Sequence, residues 1–340
     1  MRIWVVGLGT VGRWLLHALH SRKEAFEQHY GFAPLVVGVA NARHGFIHRA
    51  EGLDLPTVLG LAAAGRPLTD HPGVRHWSTA LDGLRATEAD VLVEVSQSPS
   101  TNGEPGYAHM REALGRGLSV ATSNKWPVAL HGIELVDFAR VGGVELRAES
   151  TVMSGTPVLS TLTHGLAGTT PLGLRGSLNA TANVILSKMS GGTSYEDALA
   201  AAQEAGLAER DPGADVEGHD TTAKAMILAA LVFGRQLRPA QVARRGITDV
   251  EDEVRQAAET GRRVRLVATL EPSGPSEIAA RVEPVALPAD DPLANVHGAM
   301  NAVVCRAEPV GEVTIIGPGA GLELAGQGVL SDLIAIARRT

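Results

Sequence analysis

The stretch RIWVVGLGTVGRWLLHAL, residues 2–19, carries the strongest indication of fold in the sequence. A short apolar strand runs into Gly7, Gly9 and Gly12, and an apolar-periodic helix follows. Gly7 would allow a tight turn, Gly9 would let the backbone approach a pyrophosphate, and Gly12 would let helix and strand pack closely. The helix N-terminus would supply oriented N–H donors. The stretch predicts a dinucleotide-binding turn, with a merely tight strand-to-helix turn as the alternative.

Further short apolar runs suggest that a sheet continues from this strand. LVVGVAN (35–41), ADVLVEVS (89–96) and LSVATS (118–123) are separated by helical patterns such as PGYAHMREALGRG (105–117). Strands that alternate with helices are typical of a doubly wound parallel sheet, whose strands end at a common crevice. We therefore expect an α/β Rossmann nucleotide-binding domain over residues 1–142.

The pattern of the sequence changes after about residue 143. Adjacent strands joined by short turns, hence antiparallel or mixed pairing, are indicated by RVRLVATLEP, EIAARVEPVAL, NAVVCRAEP and EVTIIGPG. Together with helices such as SYEDALAAAQEAG, they predict an α+β domain with a mixed sheet over residues 143–316. The amphipathic helix GVLSDLIAIARR lies in a C-terminal segment, 317–340, that we expect to return to the nucleotide-binding domain.

The composition limits the classes of function. The chain has 340 residues, 44% of them hydrophobic, which is enough for about two domains with their own cores. A net charge of −7 without a long Lys/Arg run argues against nucleic acid as a partner. No apolar run approaches about 18 residues and no secretory signal is evident, so no membrane contact is expected. The single cysteine, Cys305, excludes an intrachain disulfide framework and suits a reducing cytoplasm.

The segment GHDTTAKAMIL, residues 218–228, places a carboxylate and an amine one helical turn apart. Asp220 and Lys224 would lie on the same face of a helix, directly after the acidic loop AERDPGADVEG (208–218). A pocket that holds a small amine-bearing molecule while an ammonium transfers a proton needs such a pair beside an acidic loop. The alternative is an N-capping aspartate with a surface ion pair.

Cofactor preference is indicated by the end of the second strand. Enzymes that prefer NAD usually place an acid there to bind the ribose 2′-hydroxyl, and this chain has Ala40, Asn41, Ala42 and Arg43 instead. Arg43 can bind a 2′-phosphate, so we expect NADP, with NAD left open and a solvated loop residue as the alternative for Arg43. Gln97 and Ser98 should also face the nucleotide.

Six blocks together are similar to those of a known enzyme family: GLGTVG (7–12), ATSNKWPVAL (121–130), ESTVMSGTPVL (149–159), LNATANVIL (178–186), ERDPGADVEGHDTTAK (209–224) and GPGAG (317–321). In this order they resemble homoserine dehydrogenase, in a short form without the optional C-terminal regulatory domain. The resemblance implies NAD(P)H-dependent interconversion of L-aspartate 4-semialdehyde and L-homoserine in threonine and methionine biosynthesis. It also implies that the α+β domain over residues 143–316 is the catalytic and dimerisation domain, so that the protein is a homodimer.

Hydride reduction of an aldehyde places negative charge on its oxygen, so the site needs a proton donor. The resemblance makes Lys224 that donor and acceptor, with Asp220 to orient it or to hold substrate. Lys125, at the end of the LSVAT strand, would touch the nicotinamide ribose or the reacting oxygen, unless it is only a helix-capping surface lysine. We expect the two amines to converge, because neighbouring ammonium groups lower each other's pKa.

The substrate's ammonium and carboxylate need at least one protein carboxylate and some donors. Glu209 and Asp215 match family positions that hold homoserine, and Thr181 fits the need for a donor. A solvated acidic loop is the alternative for DPGADVEG. The full set of expected cofactor contacts is Gly7, Gly9, Thr10, Val11, Gly12, Arg43, Ser98, Lys125 and Gly321.

The resemblance also implies a site for a monovalent cation such as sodium. Its ligands would be Glu149 and the backbone carbonyls of Val152, Ser154 and Thr156, and a structural loop without an ion is the alternative. The 12 histidines show no spacing typical of a zinc enzyme, so no transition metal is expected.

Two other functions remain open. One is a nicotinamide-dependent enzyme that oxidises the semialdehyde to an acyl phosphate through a cysteine thioester, for which Cys305 in the strand NAVVCRAEP is the only candidate nucleophile. The other is a catalytically silent NADP-binding sensor. The acyl-phosphate enzyme is disfavoured because Cys305 is expected to be a core residue. The silent sensor is disfavoured because Lys125, Asp220 and Lys224 are all present.

Overall fold

The computed structural model describes residues 1–274 and 276–339, so residue 340 of the expected C-terminal segment lies outside the described residues. The chain forms two compact units. The first runs from Met1 to Gly155 and is completed by a segment that begins at Leu322, and the second runs from Thr156 to Gly321.

The first unit contains a seven-stranded sheet. Its strands are β1 (Arg2–Val6), β2 (Leu35–Asn41), β3 (Gly45–His48), β4 (Arg75–His76), β5 (Val91–Glu94), β6 (Ser119–Thr122) and β7 (Leu146–Arg147). They lie in the order β4-β3-β2-β1-β5-β6-β7. The pairs from β2 to β7 are parallel, which confirms the expected Rossmann sheet, while β3 and β4 add an antiparallel edge.

Short helices connect the strands of this sheet. They are α1 (Thr10–Ser21), α2 (Lys23–Tyr30), α3 (Leu55–Ala63), α4 (Ala80–Ala86), α5 (Gly106–Gly115), α6 (Lys125–Gly142) and α7 (Ser150–Met153). The strand after α6 decides where the unit ends. Because β7 pairs with β6, residues beyond 142 still belong to the first sheet, and the division falls after Gly155 rather than at the expected 142.

The second unit is built on a six-stranded sheet of β8 (Thr170–Ser177), β9 (Val242–Arg244), β10 (Arg263–Pro272), β11 (Ile278–Leu287), β12 (Met300–Glu308) and β13 (Gly311–Pro318). Their order is β13-β12-β8-β10-β11-β9. Only the β9–β11 pair is parallel among the described pairs, so the sheet is mixed, as the sequence predicts. Since β13 includes residues 317 and 318, the C-terminal segment begins later than the expected 317.

Five helices accompany this sheet: α8 (Ala180–Met189), α9 (Tyr195–Glu204), α10 (Gly213–Val216), α11 (His219–Phe233) and α12 (Glu251–Glu259). A π-helical turn, Thr161–Gly165, and the 3-10 turns Pro239–Gln241 and Pro292–Asn295 complete the regular segments described for this unit. Helix α11 packs against β10 and β11 and is buried from Thr221 to Ala230. A helix that is apolar on all sides belongs in a core, so the polar residues of its first turns are held inside the unit.

The last helix, α13 (Leu322–Ala337), returns to the first unit and packs against α1 and β6. Its buried side chains join the core cluster that includes Ile3, Leu15 and Leu16. They are Val329, Leu330, Leu333 and Ile336. The first unit is therefore assembled from two distant parts of the sequence.

Candidate active site

The turn after β1 has the geometry that its glycines predict. Gly7 has a φ of 110°, and a Cβ there would lie 2.6 Å from the backbone nitrogen of Ser96. A Cβ on Gly12 would lie 2.0 Å from the carbonyl oxygen of Gly7. Around Gly9, by contrast, nothing described lies within 4 Å of an added Cβ. Gly7 and Gly12 thus permit close packing, and Gly9 leaves an open surface at the start of α1 that a pyrophosphate can approach.

The expected 2′-phosphate contact lies in a turn after β2. Asn41 Oδ1 accepts hydrogen bonds from the backbone nitrogens of Arg43, at 2.9 Å, and His44, at 3.2 Å. This side-chain turn fixes the local backbone and leaves Arg43 exposed, with its guanidinium accessible to an anion.

Ser98 makes more contacts within the protein than the sequence suggests. Its Oγ accepts hydrogen bonds from Gly106 N at 3.2 Å and Asn124 Nδ2 at 2.9 Å. Since a hydroxyl has two acceptor positions and one proton, only the proton is left for a cofactor. The neighbouring Gln97 is exposed.

Lys125 is the first residue of α6 and is partly buried. The preceding strand, β6, is parallel to β5, which is parallel to β1. The carboxyl ends of parallel neighbours lie at the same edge of a sheet. Lys125, Ser98 and the Gly7 turn therefore share one edge of the first unit, as expected from the sequence.

Lys224 and Asp220 form a buried pair on α11 in the second unit. Lys224 Nζ lies 2.9 Å from Asp220 Oδ2 and donates to the carbonyl oxygen of Leu178 at 2.6 Å. Only 9% of the lysine side chain and 13% of the aspartate side chain are exposed. These exposures exclude the alternative of a solvent-exposed surface pair. The pair lies at the end of β8, since Leu178 follows that strand directly.

Asn179 is a site residue that the sequence analysis missed. Its Nδ2 donates to Asp215 Oδ1 at 2.6 Å and to Asp220 Oδ2 at 3.3 Å, and its Oδ1 caps α8 by accepting from Ala182 N at 2.8 Å. One amide therefore holds two carboxylates near the ammonium of Lys224. The signal was present in LNATANVIL, where an asparagine precedes a helix, but only the capping half of its role can be inferred from that position.

The other expected substrate residues are arranged differently. Thr181 is buried, and its hydroxyl donates to Leu207 O at 2.9 Å, so its proton is used within the protein in this structure. Glu209 lies exposed in the loop between α9 and α10, and its carbonyl accepts from Gln203 Nε2 at 3.0 Å. Gly321, expected at the cofactor, is exposed with a φ of 145°.

The predicted cation ligands include a deeply buried carboxylate. Glu149 is 4% exposed, and its backbone nitrogen donates to Asp332 Oδ2 at 3.0 Å. Burial and then the neighbouring Glu149 raise the pKa of Asp332 well above its ordinary value. Val152 is buried, and Ser154 has a φ of 52°, in the left-handed region. Thr156 is the first residue of the second unit, where its Oγ1 donates to Pro318 O at 3.0 Å. Oxygen donors of this kind suit a hard cation.

The described residues give less support to a metal cluster, a membrane-spanning helix or a nucleophilic cysteine. Within residues 1–274 and 276–339, no three His, Cys, Asp or Glu side chains are grouped to hold a metal ion. No described helix is long and apolar enough to span a membrane. Cys305 is buried in β12, and burial raises the pKa of its thiol. A thioester mechanism needs the thiolate, so this cysteine does not suit the aldehyde-oxidising alternative.

Comparisons with known proteins agree on one family. A family model described as homoserine dehydrogenase matches residues 157–334. The NAD(+)-dependent homoserine dehydrogenase of Pseudomonas canavaninivorans is 36% identical to this chain, covering 98% of it and 96% of the relative. The chain belongs to the homoserine dehydrogenase family. A homoserine dehydrogenase is an NAD(P)-dependent oxidoreductase acting on a CH–OH group, and that is the class of activity of this chain.

Two more homoserine dehydrogenases extend the likeness over the whole chain. That of Methanocaldococcus jannaschii is 33% identical over 100% of this chain and 99% of its own length. The structure of a hyperthermophilic archaeal homoserine dehydrogenase in complex with NADPH has a TM-score of 0.83 at 31% identity and covers 100% of this chain and 98% of that one. The likeness therefore extends over both units.

Proposed function

We propose that the protein interconverts L-aspartate 4-semialdehyde and L-homoserine, with NADP as its preferred coenzyme. The observation that supports this most directly is the buried pair of Lys224 and Asp220, joined through Asn179 to Asp215. It combines a proton-carrying ammonium with carboxylates that can bind an amino acid.

Lys224 acts as the proton donor in the reducing direction. The coenzyme supplies a hydride to the aldehyde carbon, and the carbonyl oxygen gains negative charge as that C–H bond forms. The Nζ of Lys224 gives its proton to this oxygen, so the product is the alcohol. Asp220 and the carbonyl of Leu178 fix the direction of Nζ, and in the oxidising direction the neutral amine takes the proton back.

The α-ammonium of the substrate is bound by the carboxylates near Asn179. Asp215 and Asp220 both accept from this amide, which holds them close together. Charge-assisted hydrogen bonds from an ammonium to such carboxylates are about twice as strong as neutral ones. Glu209 contributes negative charge from its exposed position in the acidic loop.

The coenzyme is held by the first unit. Gly7, Gly9 and Gly12 form the pyrophosphate turn together with Thr10 and Val11, and Arg43 binds the 2′-phosphate. Lys125 touches the nicotinamide ribose or the reacting oxygen. One relative is named as NAD(+)-dependent and another was solved with NADPH, so the proposed preference for NADP is based on Arg43.

Three further properties belong to this proposal. Glu149 with the carbonyls of Val152, Ser154 and Thr156 binds a monovalent cation such as sodium. The protein is a homodimer that takes no nucleic acid or membrane partner, and it works in the cytoplasm, to which its single cysteine is suited. Light scattering tests the dimer, and activity in sodium-containing and sodium-free buffers tests the cation.

The experiment that tests the function follows the absorbance of NADPH and NADH with aspartate semialdehyde, and of the oxidised coenzymes with homoserine. We expect turnover in both directions. At low coenzyme concentration we expect it to be faster with NADP(H) than with NAD(H). Coenzyme binding without turnover of either substrate would favour the silent NADP-binding sensor instead. Turnover of other aldehydes or alcohols but not of this pair would indicate a different oxidoreductase.

A further inference from the structure

Glu94 and His109 form a buried pair that the proposed chemistry does not use. Glu94 ends β5, has no exposed surface, and accepts from His109 Nδ1 through Oε2 at 2.7 Å. Its Oε1 accepts from the backbone nitrogen of Ser96 at 2.9 Å and from the Ser96 hydroxyl. Because a carboxylate can only accept, Nδ1 of His109 carries the proton in this contact. The imidazole therefore stabilises a carboxylate that solvent cannot reach.

The backbone of Glu94 is connected to β6 and to the residue before Lys125. Thr122 Oγ1 donates to the carbonyl oxygen of Glu94 at 2.7 Å, and the same Oγ1 accepts from Asn124 N at 2.9 Å. Asn124 is buried, and Lys125 follows it as the first residue of α6. The carboxyl ends of β5 and β6 are thus tied together directly beside Lys125.

A second set of contacts closes the ring through α5. Asn124 Nδ2 and Gly106 N both donate to Ser98 Oγ, and Gly106 is the first residue of the helix that carries His109. The junction is tight, since a Cβ on Gly106 would lie 2.5 Å from Asn124 Nδ2 and 2.7 Å from Ser98 Oγ. A shift of α5 at His109 is therefore transmitted to Asn124.

We propose that Glu94 and His109 are positioning residues that hold Asn124, and through it Lys125, in the orientation the reaction requires. His109 holds α5 onto the Glu94 carboxylate, and α5 holds Asn124 through Ser98. The inference depends on the proposed function, because that function gives Lys125 its role. It adds two residues that touch neither substrate nor coenzyme.

The test compares His109→Leu, which leaves the buried carboxylate without its imidazole, with His109→Asn, whose amide N–H can replace Nδ1–H. We expect His109→Leu to lower kcat by at least about tenfold, as small misplacements of a catalytic group do, while the Kd for NADPH changes by less than about threefold. His109→Asn should restore most of kcat. Glu94→Gln should also retain most of it, because the amide can donate to a neutral His109 Nδ1 while its oxygen still accepts from Ser96.

A double-mutant cycle separates positioning from simple destabilisation. If His109 acts through Lys125, then His109→Leu should lower kcat by no more than about twofold in a Lys125→Ala background. Additive losses in the double variant, wild-type kcat in His109→Leu, or failure of His109→Asn to recover kcat would overturn the inference. Thermal unfolding of each variant shows whether it is folded at the assay temperature.

The proposed function and this inference fail in different ways. A wild-type protein that turns over neither aspartate semialdehyde nor homoserine would overturn both. An active wild type whose His109 and Lys125 effects are additive would overturn the positioning role alone.

Discussion

The side-chain amide of Asn301 fills the space beside Gly319, where an added Cβ would lie only 2.0 Å from Asn301 Cγ. Asn301 is fully buried at the start of β12, and neither Nδ2 nor Oδ1 has a hydrogen-bond partner in the part of the chain that the structure describes. Gly319 is the middle residue of GPGAG. With asparagine at 301, a residue larger than glycine at 319 requires a shift of the Asn301 side chain or of the loop.

Gly319→Ala should therefore displace the buried Asn301 amide or the GPGAG loop. Overpacking of this kind costs about 1–3 kcal/mol, and we expect a matching fall in the free energy of unfolding in urea. The double variant Asn301→Ala, Gly319→Ala removes the clash and should recover part of both stability and kcat/KM. A double variant no better than Gly319→Ala alone would contradict this steric explanation.

Lys224→Ala should reduce kcat by at least about 100-fold, the lower range for loss of a general acid. The reason is that Lys224 Nζ, held by Asp220 and by the carbonyl oxygen of Leu178, is the proton donor of the proposed reaction. The matched control is Lys188→Ala, which removes an exposed lysine from the same unit. Stopped assays of NADPH consumption measure both, and wild-type turnover in Lys224→Ala would remove this residue from the mechanism.

Lys125→Ala should lower turnover to a similar degree, by at least about 100-fold. Its loss removes an ammonium from the edge of the sheet where β6 ends. Lys23→Ala, an exposed lysine of α2, is the control in the first unit. An active Lys125→Ala enzyme would show that this lysine is not needed for the reaction.

Arg43→Ala should weaken NADPH more than NADH. The guanidinium is exposed in a turn fixed by Asn41, and only NADPH carries the 2′-phosphate it would bind. The measurement is the ratio of the two KM values in wild type and variant. An unchanged ratio would show that Arg43 is a solvated loop residue and would reopen the choice of coenzyme.

Asn179→Ser should separate the two roles of Asn179. Serine can still cap α8, but it is too short to bond Asp215 and Asp220 together, so the KM for homoserine should rise with little loss of stability. Asn179→Ala should lose both functions, with about 0.5–2 kcal/mol of additional destabilisation from the missing cap. If the serine variant bound homoserine as well as wild type does, the carboxylates would not depend on this amide.

Acid sensitivity of folding should depend on His48. The His48 ring stacks on the Trp4 ring with 6.2 Å between the ring centroids, and it meets the Trp77 ring edge-on at a centroid distance of 6.0 Å. Burial lowers the pKa of His48, and the positive charge of Arg75 lowers it further. The unfolded chain therefore binds a proton first as the pH falls through about 6.5, and stability is lost from there down to the folded-state pKa. Above that window both states are neutral and the stability is fully present.

His48→Phe should flatten this dependence, as seen from unfolding free energies measured between about pH 8 and about pH 5. The matched control is His76→Phe, which replaces an exposed histidine of β4. An unaltered slope in His48→Phe would mean that other groups cause the acid sensitivity.

Local patterns in the sequence predict much of the fold and the central pair. Apolar runs predict the strands that form the parallel part of the first sheet, and the spacing of Asp220 and Lys224 predicts their contact. The apolar pattern of a strand and a contact between residues one helical turn apart are both properties of a short stretch of sequence. The antiparallel strands β3 and β4 are short and partly polar, and only their pairing partners make them strands. Strand β7 is likewise only two residues long and is recognised only through its pairing with β6.

The contacts of single polar residues cannot be inferred from the sequence in the same way. Glu94 in the apolar run VLVEV is a visible anomaly, but its partner, His109, lies on a separate helix that the tertiary structure brings to it. Ser98 and Thr181 have the residue types of ligand-binding groups, while Ser98 Oγ accepts from Asn124 and Gly106 and the Thr181 hydroxyl donates to Leu207 O. Residue type indicates what a side chain can bind, and the packing determines which group it meets.

The placement of α13 has a consequence for biosynthesis of the protein. The first unit is interrupted after Gly155 and regains its missing layer only from Leu322 onward. A nascent chain on the ribosome therefore exposes the apolar surface of α1 until the helix with Val329 and Leu333 has emerged. A stop codon before α13 would therefore damage the first unit, although the second unit lies directly before that helix in the sequence.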